Sequence, residues 1–238
     1  MTDASGPLPD VLADAWIDDT VHELVPGYRA LLIAATGVTG GPSDAYSDAA
    51  LLRAEDAARA RLAGEAPESL PQLAAWRSAF LSFGVKPRQA RSSVEALVRR
   101  VDAGLPRIDR LTDLYNAVSV EHLIPIGGEN LARYVGPPRL VRALGDEPFD
   151  TVADGEEVTV SADAGEVLWR DDVGVTCRRW NWRQCVRTRL AATTTDVLFI
   201  LDGLDPVDAD RLHAAGDALV HHLRADSSAV EVSWRLLG

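Results

Sequence analysis

The sequence predicts an α+β domain. Helix-period apolar patterns dominate the first half of the chain, and alternating, β-rich segments take over after Gly136. Clusters of Gly, Asp and Thr separate those later segments, which suits an antiparallel meander. The expected order is N-terminal helices, then a mostly antiparallel sheet region, then a C-terminal helix and strand.

Residues 1–25 are acidic and proline-bearing and are expected to be a peripheral or poorly ordered segment, frayed over the first ten or so. The domain proper is expected to cover 26–238. Residues 28–38, YRALLIAATGV, read as a buried strand ending near Gly37. Ser43 marks the start of a helix running to Ala63, with Gly64 as its stop. Pro71 opens a second helix, in which Leu73, Trp76, Phe80 and Phe83 recur at helical spacing before Gly84; such aromatics usually belong to the core. A third helix is expected over 87–103, striped by Val94, Leu97, Val98 and Val101. Leu105-Pro106 then forces an extended link, because the residue before proline avoids the helical region. A fourth helix covers 109–118. Gly127-Gly128 reads as a turn, followed by a short helical piece over 129–135. Strands are expected at 139–144, 157–161, 166–170, 173–179, 186–192 and 197–201, with Asp171-Asp172-Val173-Gly174 as a hairpin turn. A helix over 206–225 and a strand over 229–236 complete the chain.

Composition narrows the function classes. The 238 residues are 47% hydrophobic and 25% charged, ordinary for one globular core. No apolar run reaches the roughly 18 residues of a membrane span. The N-terminus lacks a basic flank followed by an apolar stretch, so no secretory signal is expected. These features predict a cytoplasmic protein with no membrane partner. Cys177 and Cys185 match no zinc spacing and suggest no disulfide framework. The net charge of −12 argues against broad nucleic-acid affinity, and no DNA partner is expected. Positive charge is nonetheless concentrated. Residues 86–110 carry seven basic side chains against three acids, and residues 170–189 carry six against two. If these segments meet, they would form a local anion site; otherwise they are solvated faces with ion pairs such as Glu95 with Arg99.

No phosphate loop, His-Glu-x-x-His or Gly-x-Ser-x-Gly motif occurs. The histidines form no ligand spacing, and His213, His221 and His222 suit a structural place on the last helix. Three polar stretches stand out instead: 106–116, 122–130 (HLIPIGGEN) and 178–188, which holds Arg-Trp-Asn-Trp-Arg. Tryptophan there could stack a ring, and arginine could fork onto phosphate. A half-buried strand with Arg stems over core Trp explains the same pattern.

Four stretches carry a resemblance: WRSAFLSFGVKPRQARSSVEALVRRV, LPRIDRLTDLYNAVSVEHLIPIGGENL, GEVLWRDDVGVTCRRWNWRQCVRTRL and TTTDVLFILDGL. Together they resemble the B3/B4 domain, the editing module of the phenylalanyl-tRNA synthetase beta chain, which also exists as stand-alone proteins. The resemblance spans about 28–223. It implies an α+β domain acting as a trans-editing hydrolase that deacylates mischarged aminoacyl-tRNA, engaging the tRNA or only its 3′ end. It also implies that Asp113 and Asn116, Pro125, Gly127 and Gly128, and Trp180, Asn181 and Arg183 converge on one pocket. Glu129 stands where stand-alone relatives carry an acid. The Trp-Asn-Trp-Arg stretch departs from the glycine-rich segment of the synthetase, which implies a different amino-acid selectivity.

Ester hydrolysis needs a positioned water, a proton acceptor and donors for the oxyanion. Glu129 is the expected water-orienting group, with Glu166 as the second choice. Asn116 and Asn181 would bond a carbonyl or ribose hydroxyl, His122 would transfer a proton, and Arg183 would meet a terminal phosphate. Thr188 joins the substrate-binding set. Lys86, Arg88, Arg91, Arg107, Arg178 and Arg179 are the expected RNA contacts. No metal or other cofactor is expected. The alternative is a non-catalytic module binding an amino acid, a nucleoside or a partner protein.

Overall fold

The computed structural model describes residues 10–225 and 227–238. The chain opens with α1 (Asp10–Ala13), β1 (Trp16–Ile17) and α2 (Asp19–Leu24), then the apolar strand β2 (Arg29–Thr36). Helices α3 (Ala45–Leu62), α4 (Pro71–Ser82), α5 (Ser93–Val98) and α6 (Arg110–His122) follow. Next come β3 (Ile126–Asn130), β4 (Arg139–Arg142), β5 (Pro148–Ala153), β6 (Glu156–Ser161), β7 (Val167–Arg170), β8 (Val175–Arg178), β9 (Arg183–Gln184) and β10 (Asp196–Gly203). Helix α7 (Ala209–Leu223) and β11 (Glu231–Leu237) end the chain. The α+β class expected from the pattern is the class observed, with the C-terminal helix and strand in place.

Two sheets organise the molecule. The first is antiparallel, in the order β11-β2-β10-β3. Its central strands are covered on both faces. Leu32, Ala34, Leu198 and Ile200 join the core under α3 and α4, while Leu31, Ile33, Val197 and Phe199 join the core under α7. Burial on both faces explains why β2 and β10 read as continuous apolar runs rather than alternating ones. The second sheet is β1-β4-β7-β8-β9, and β5 and β6 form a separate ribbon. Helix α6 lies between the cores, buried from Arg110 to Val120. Asp109 starts it by accepting the Thr112 N–H, and Leu123 ends it at φ 56.

Several expectations change. Residues 10–25 are not peripheral: Leu12, Ala15 and Val21 are buried, and β1 pairs in parallel with β4. The expected fraying at the very start lies outside the described residues. The helix expected over 87–103 shrinks to α5, because the Gln89 side chain turns the chain at Lys86 and Ser92 caps only from Glu95 onward. Gly127-Gly128 is not a turn. It lies within β3, paired with Ile200 and Phe199 of β10. Residues 186–192 form no strand, since the backbone N–H groups of Val186 and Arg187 bond to Asp150 instead of a ladder. Strand β5, absent from the sequence reading, finds its partner in β6. The Asp171–Gly174 turn stands as expected, closed by Asp171 accepting from Val173 and Gly174.

Candidate functional site

The two sheets and α6 enclose a cavity of about 120 Å³, comparable to cavities of ~150 Å³ that take up a benzene ring. Its walls come from three distant parts of the chain. Helix α6 gives Tyr115 and Asn116, β3 gives Gly127 and Glu129, and the 180–184 segment gives Trp180 to Gln184; Ser93, Trp169, Cys177, Ile200 and Asp202 complete it.

Glu129 is 1% exposed on β3 and accepts the Tyr134 hydroxyl. Among the described residues no cationic side chain pairs with it. Burial pushes its carboxyl up to about 7, against the opposing pull of hydrogen bonds from Tyr134, Thr176 and Thr188. Asp202 on β10 is 2% exposed. It accepts Tyr28 Oη at 2.5 Å and Asn181 Nδ2 at 3.2 Å. Burial raises it to about 6, again partly offset by those donors. Cys177 lies near both acids, and burial followed by their negative charge pushes its thiol well up, so it is no thiolate nucleophile.

The 178–182 segment is strained where it meets the cavity. Arg179 has φ 46 and Trp180 has φ 67. Non-glycine residues rarely adopt this region, at a cost on the order of 1–3 kcal/mol each. Packing holds it: the Trp180 ring is fully buried, edge-on to Tyr28 at 4.9 Å and to Trp76 at 5.4 Å. Arg179 is fastened to Asp163 at 3.0 Å. This arrangement presents Asn181 to the cavity. At the rim, Arg183 lies over the Trp182 ring at 4.4 Å, and Arg179 lies over the same ring at 4.6 Å. While the Trp169 and Trp180 indoles lie against Asp202 and Tyr28, two polar atoms of lining residues, Ser93 Oγ and Asn181 Oδ1, are buried without a hydrogen-bond partner among the described residues. Such atoms are rare in native interiors and mark places where a ligand or water supplies the partner.

The structure gathers only part of the expected set. Glu129, Asn116, Asn181, Gly127, Trp180 and Arg183 line the cavity. Gly128 is the next residue of β3; its carbonyl accepts Gln184 Nε2 at 3.1 Å, and a Cβ there would meet Tyr115 and Phe199 at 3.0 and 3.1 Å. Pro125 only flanks the strand, its carbonyl accepting the Asp202 N–H. Thr188 backs the Glu129 carboxylate and bonds Cys185 Sγ at 3.2 Å. Three expected residues stand elsewhere. Asp113 is buried against Ser47 Oγ and the Ile108 N–H, where it fixes the turn before α6. Glu166 is clamped by Arg178 at 2.8 and 2.6 Å. His122 ends α6 beside Arg61 and Arg211, which follow burial in lowering its imidazole.

The expected cationic surface is largely neutralised. Arg91 pairs with Glu95, Arg107 with Asp48 and Glu55, and Arg178 and Arg179 with Asp163 and Glu166. Lys86 and Arg88 alone of that expected set, together with Arg183 of the expected substrate-binding residues, have no carboxylate partner among the described residues. Asp202 and its partner Tyr28 escaped the sequence reading. The available signal was an acid at the end of the apolar run VLFILD, where a buried strand has no ordinary place for charge. Among the described residues no group of three or more His, Cys, Asp or Glu could hold a metal ion, and no helix is long and apolar enough to cross a membrane.

Fold and site define a class: an α+β pocket domain in which two buried carboxylates face one small cavity. The chain belongs to the B3/4 domain family, whose model matches residues 75–227. It is similar to the crystal structure of an N-terminal fragment of the phenylalanyl-tRNA synthetase beta-subunit from Pyrococcus horikoshii. That similarity has 13% identity and a TM-score of 0.46, over 94% of this chain and 50% of the fragment, so the chain spans half of that structure's length. Among curated proteins, no sequence matches this chain.

Proposed function

We propose that the protein hydrolyses the ester of mischarged aminoacyl-tRNA, acting in trans on the aminoacyl end. One observation carries the reading: Glu129 lines the cavity as a buried carboxyl with no cationic partner among the described residues, pushed up to about 7 by burial. A general base works best when its acidity lies close to the working pH. In the step we infer, Glu129 accepts a proton as a water oxygen bonds to the ester carbonyl carbon. The tetrahedral intermediate then expels the ribose oxygen, which takes that proton back. The products are a free amino acid and a tRNA with its 3′-terminal hydroxyl. Asn116 borders the same space and supplies an amide donor toward carbonyl or ribose, while the Asn181 amide N–H is engaged by Asp202.

The test is deacylation of a panel of correctly and wrongly charged tRNAs, with chelator present, by wild type and Glu129→Gln. Release of one aminoacyl group by wild type, reduced at least 100-fold in the variant, supports the reading; equal rates refute it. A second reading, a non-catalytic module for an amino acid or nucleoside, is favoured by the −12 charge and by the internally paired arginines. Tight binding of the free small molecule with no release across the panel would select it.

A further inference from the structure

The cavity holds an imbalance of charge that the hydrolytic step leaves unused. Glu129 and Asp202 both face it, and among the described residues no cationic side chain pairs with either. Buried charge is ordinarily compensated. Asp202 is the better fixed of the two, held by Tyr28 on Oδ1 and by Asn181 Nδ2 on Oδ2. The second bond sets the direction of the Asn181 amide, because an ionised carboxylate only accepts. Asn181 Oδ1 is therefore turned away from Asp202, and it is buried with no hydrogen-bond partner. Two hydrogen-bonded neighbours of the cavity lining thus carry an acidic acceptor and an unpartnered neutral acceptor.

We propose that Asp202 and Asn181 Oδ1 form an ammonium subsite that takes the free α-amine of the ligand. An ammonium group offers three N–H donors, no acceptor and one positive charge, which is the complement of this wall. The inference rests on the aminoacyl reading and narrows it: the substrate class is aminoacyl esters with an unblocked amine, and N-acylated or peptidyl esters are excluded. The groups around Asp202 leave it free to act. Tyr28, just before β2, and Cys177 from β8 are both pushed upward by burial and stay neutral, and the amide of Asn181 and indole of Trp169 do not titrate. Glu129, on the neighbouring strand β3, is the other cavity-lining acid that changes state near neutrality.

The test uses matched amides, which need no turnover: L-alaninamide with propionamide, L-valinamide with isovaleramide, and L-phenylalaninamide with 3-phenylpropionamide. Binding is read at pH 7 from tryptophan fluorescence, since Trp169, Trp180 and Trp182 line the cavity. The expected result is at least tenfold tighter binding of the amine-bearing member of one pair, reduced to within twofold in Asp202→Asn. If that variant fails to fold, wild type is titrated with acid and Asn181→Leu is measured. The amine preference should fade as pH falls below about 6, and weaken at least threefold in Asn181→Leu. Equal binding within every pair, no binding of any amide, or a preference kept in both variants would overturn the subsite. Failure of the two readings is distinguishable. Amine-selective binding without deacylation sinks the hydrolase and keeps the subsite; equal deacylation of N-acetylaminoacyl-tRNA and its free-amine form does the reverse.

Discussion

Replacing Glu129 by Gln should make the protein more stable at pH 8 while removing the proposed hydrolytic activity. The carboxyl moves from its ordinary 4.5 to about 7 on folding. A folded value above the unfolded one means that the native state binds the extra proton between these limits. Stability from this group is thus full below about 4.5, falls as pH rises, and reaches its floor above about 7. At about 1.4 kcal/mol per pH unit, the loss at pH 8 is roughly 3 kcal/mol. Glutamine carries no charge, and the hydroxyls of Tyr134, Thr176 and Thr188 around the site can accept from its amide. Imperfect hydrogen bonding reduces the gain, so the expected stabilisation at pH 8 is ~1–3 kcal/mol, shrinking toward zero at pH 5. Urea unfolding of both proteins at pH 5, 6.5 and 8 measures it. Carboxylates such as Glu95 and Asp171, held low by their arginines, are common to both proteins and cancel in the difference. A variant less stable than wild type at pH 8, or a difference that does not change with pH, would show that Glu129 is not a strained, desolvated acid and would remove the basis for its role as a base.

Three other outcomes follow from the same geometry. Asp171 is fully buried and accepts the N–H groups of Val135, Val173 and Gly174 as well as both Arg187 nitrogens at 2.8 Å. Asp171→Ala strands Arg187 and should cost about 3–5 kcal/mol in thermal or urea unfolding; a loss below 1 kcal/mol would contradict the structure. Gly128→Ala would drive a methyl into two aromatic rings and should destabilise by ~1–3 kcal/mol. Gly127→Ala meets only the movable end of Gln184 at 3.0 Å, so calorimetry should find it the milder change, with ligand affinity reduced instead. Binding of uncharged tRNA should show a shallow salt dependence, a slope of about −2 to −3 in log K against log salt, because only about three of the expected cations are unpaired. A slope steeper than −5 would reveal a basic surface elsewhere.

Much of this protein was legible locally. The run YRALLIAATGV became β2 because continuous apolar sequence needs cover on both faces, and the core supplies it. The aromatics of α4 are core, as their spacing implied, with Trp76 and Phe80 buried. The stretches that resemble the B3/B4 domain brought Asn116, Glu129 and Asn181 to one cavity. What escaped was non-local. Gly127-Gly128 looks like a turn to any local rule, and it is a strand only because β10, just over seventy residues on, offers a ladder. Arg178 and Arg179 look like a nucleic-acid contact until Asp163 and Glu166 are seen to engage them.

Sequence by itself determined the elements whose physics is short-range: apolar periodicity, the Asp171 hairpin and the α+β class; the cap of α3 fell one residue past the expected Ser43, on Asp44, whose carboxylate accepts the Ser47 N–H. Tertiary structure alone decided which polar residues matter. Asp202 is one acid at the end of an apolar run until folding brings Tyr28, 174 residues away, against it. Protonation near neutrality, the lack of a counter-ion among the described residues and an unpartnered acceptor on its neighbour Asn181 all arise from burial, and burial is a property of the packed molecule rather than of any segment of the chain.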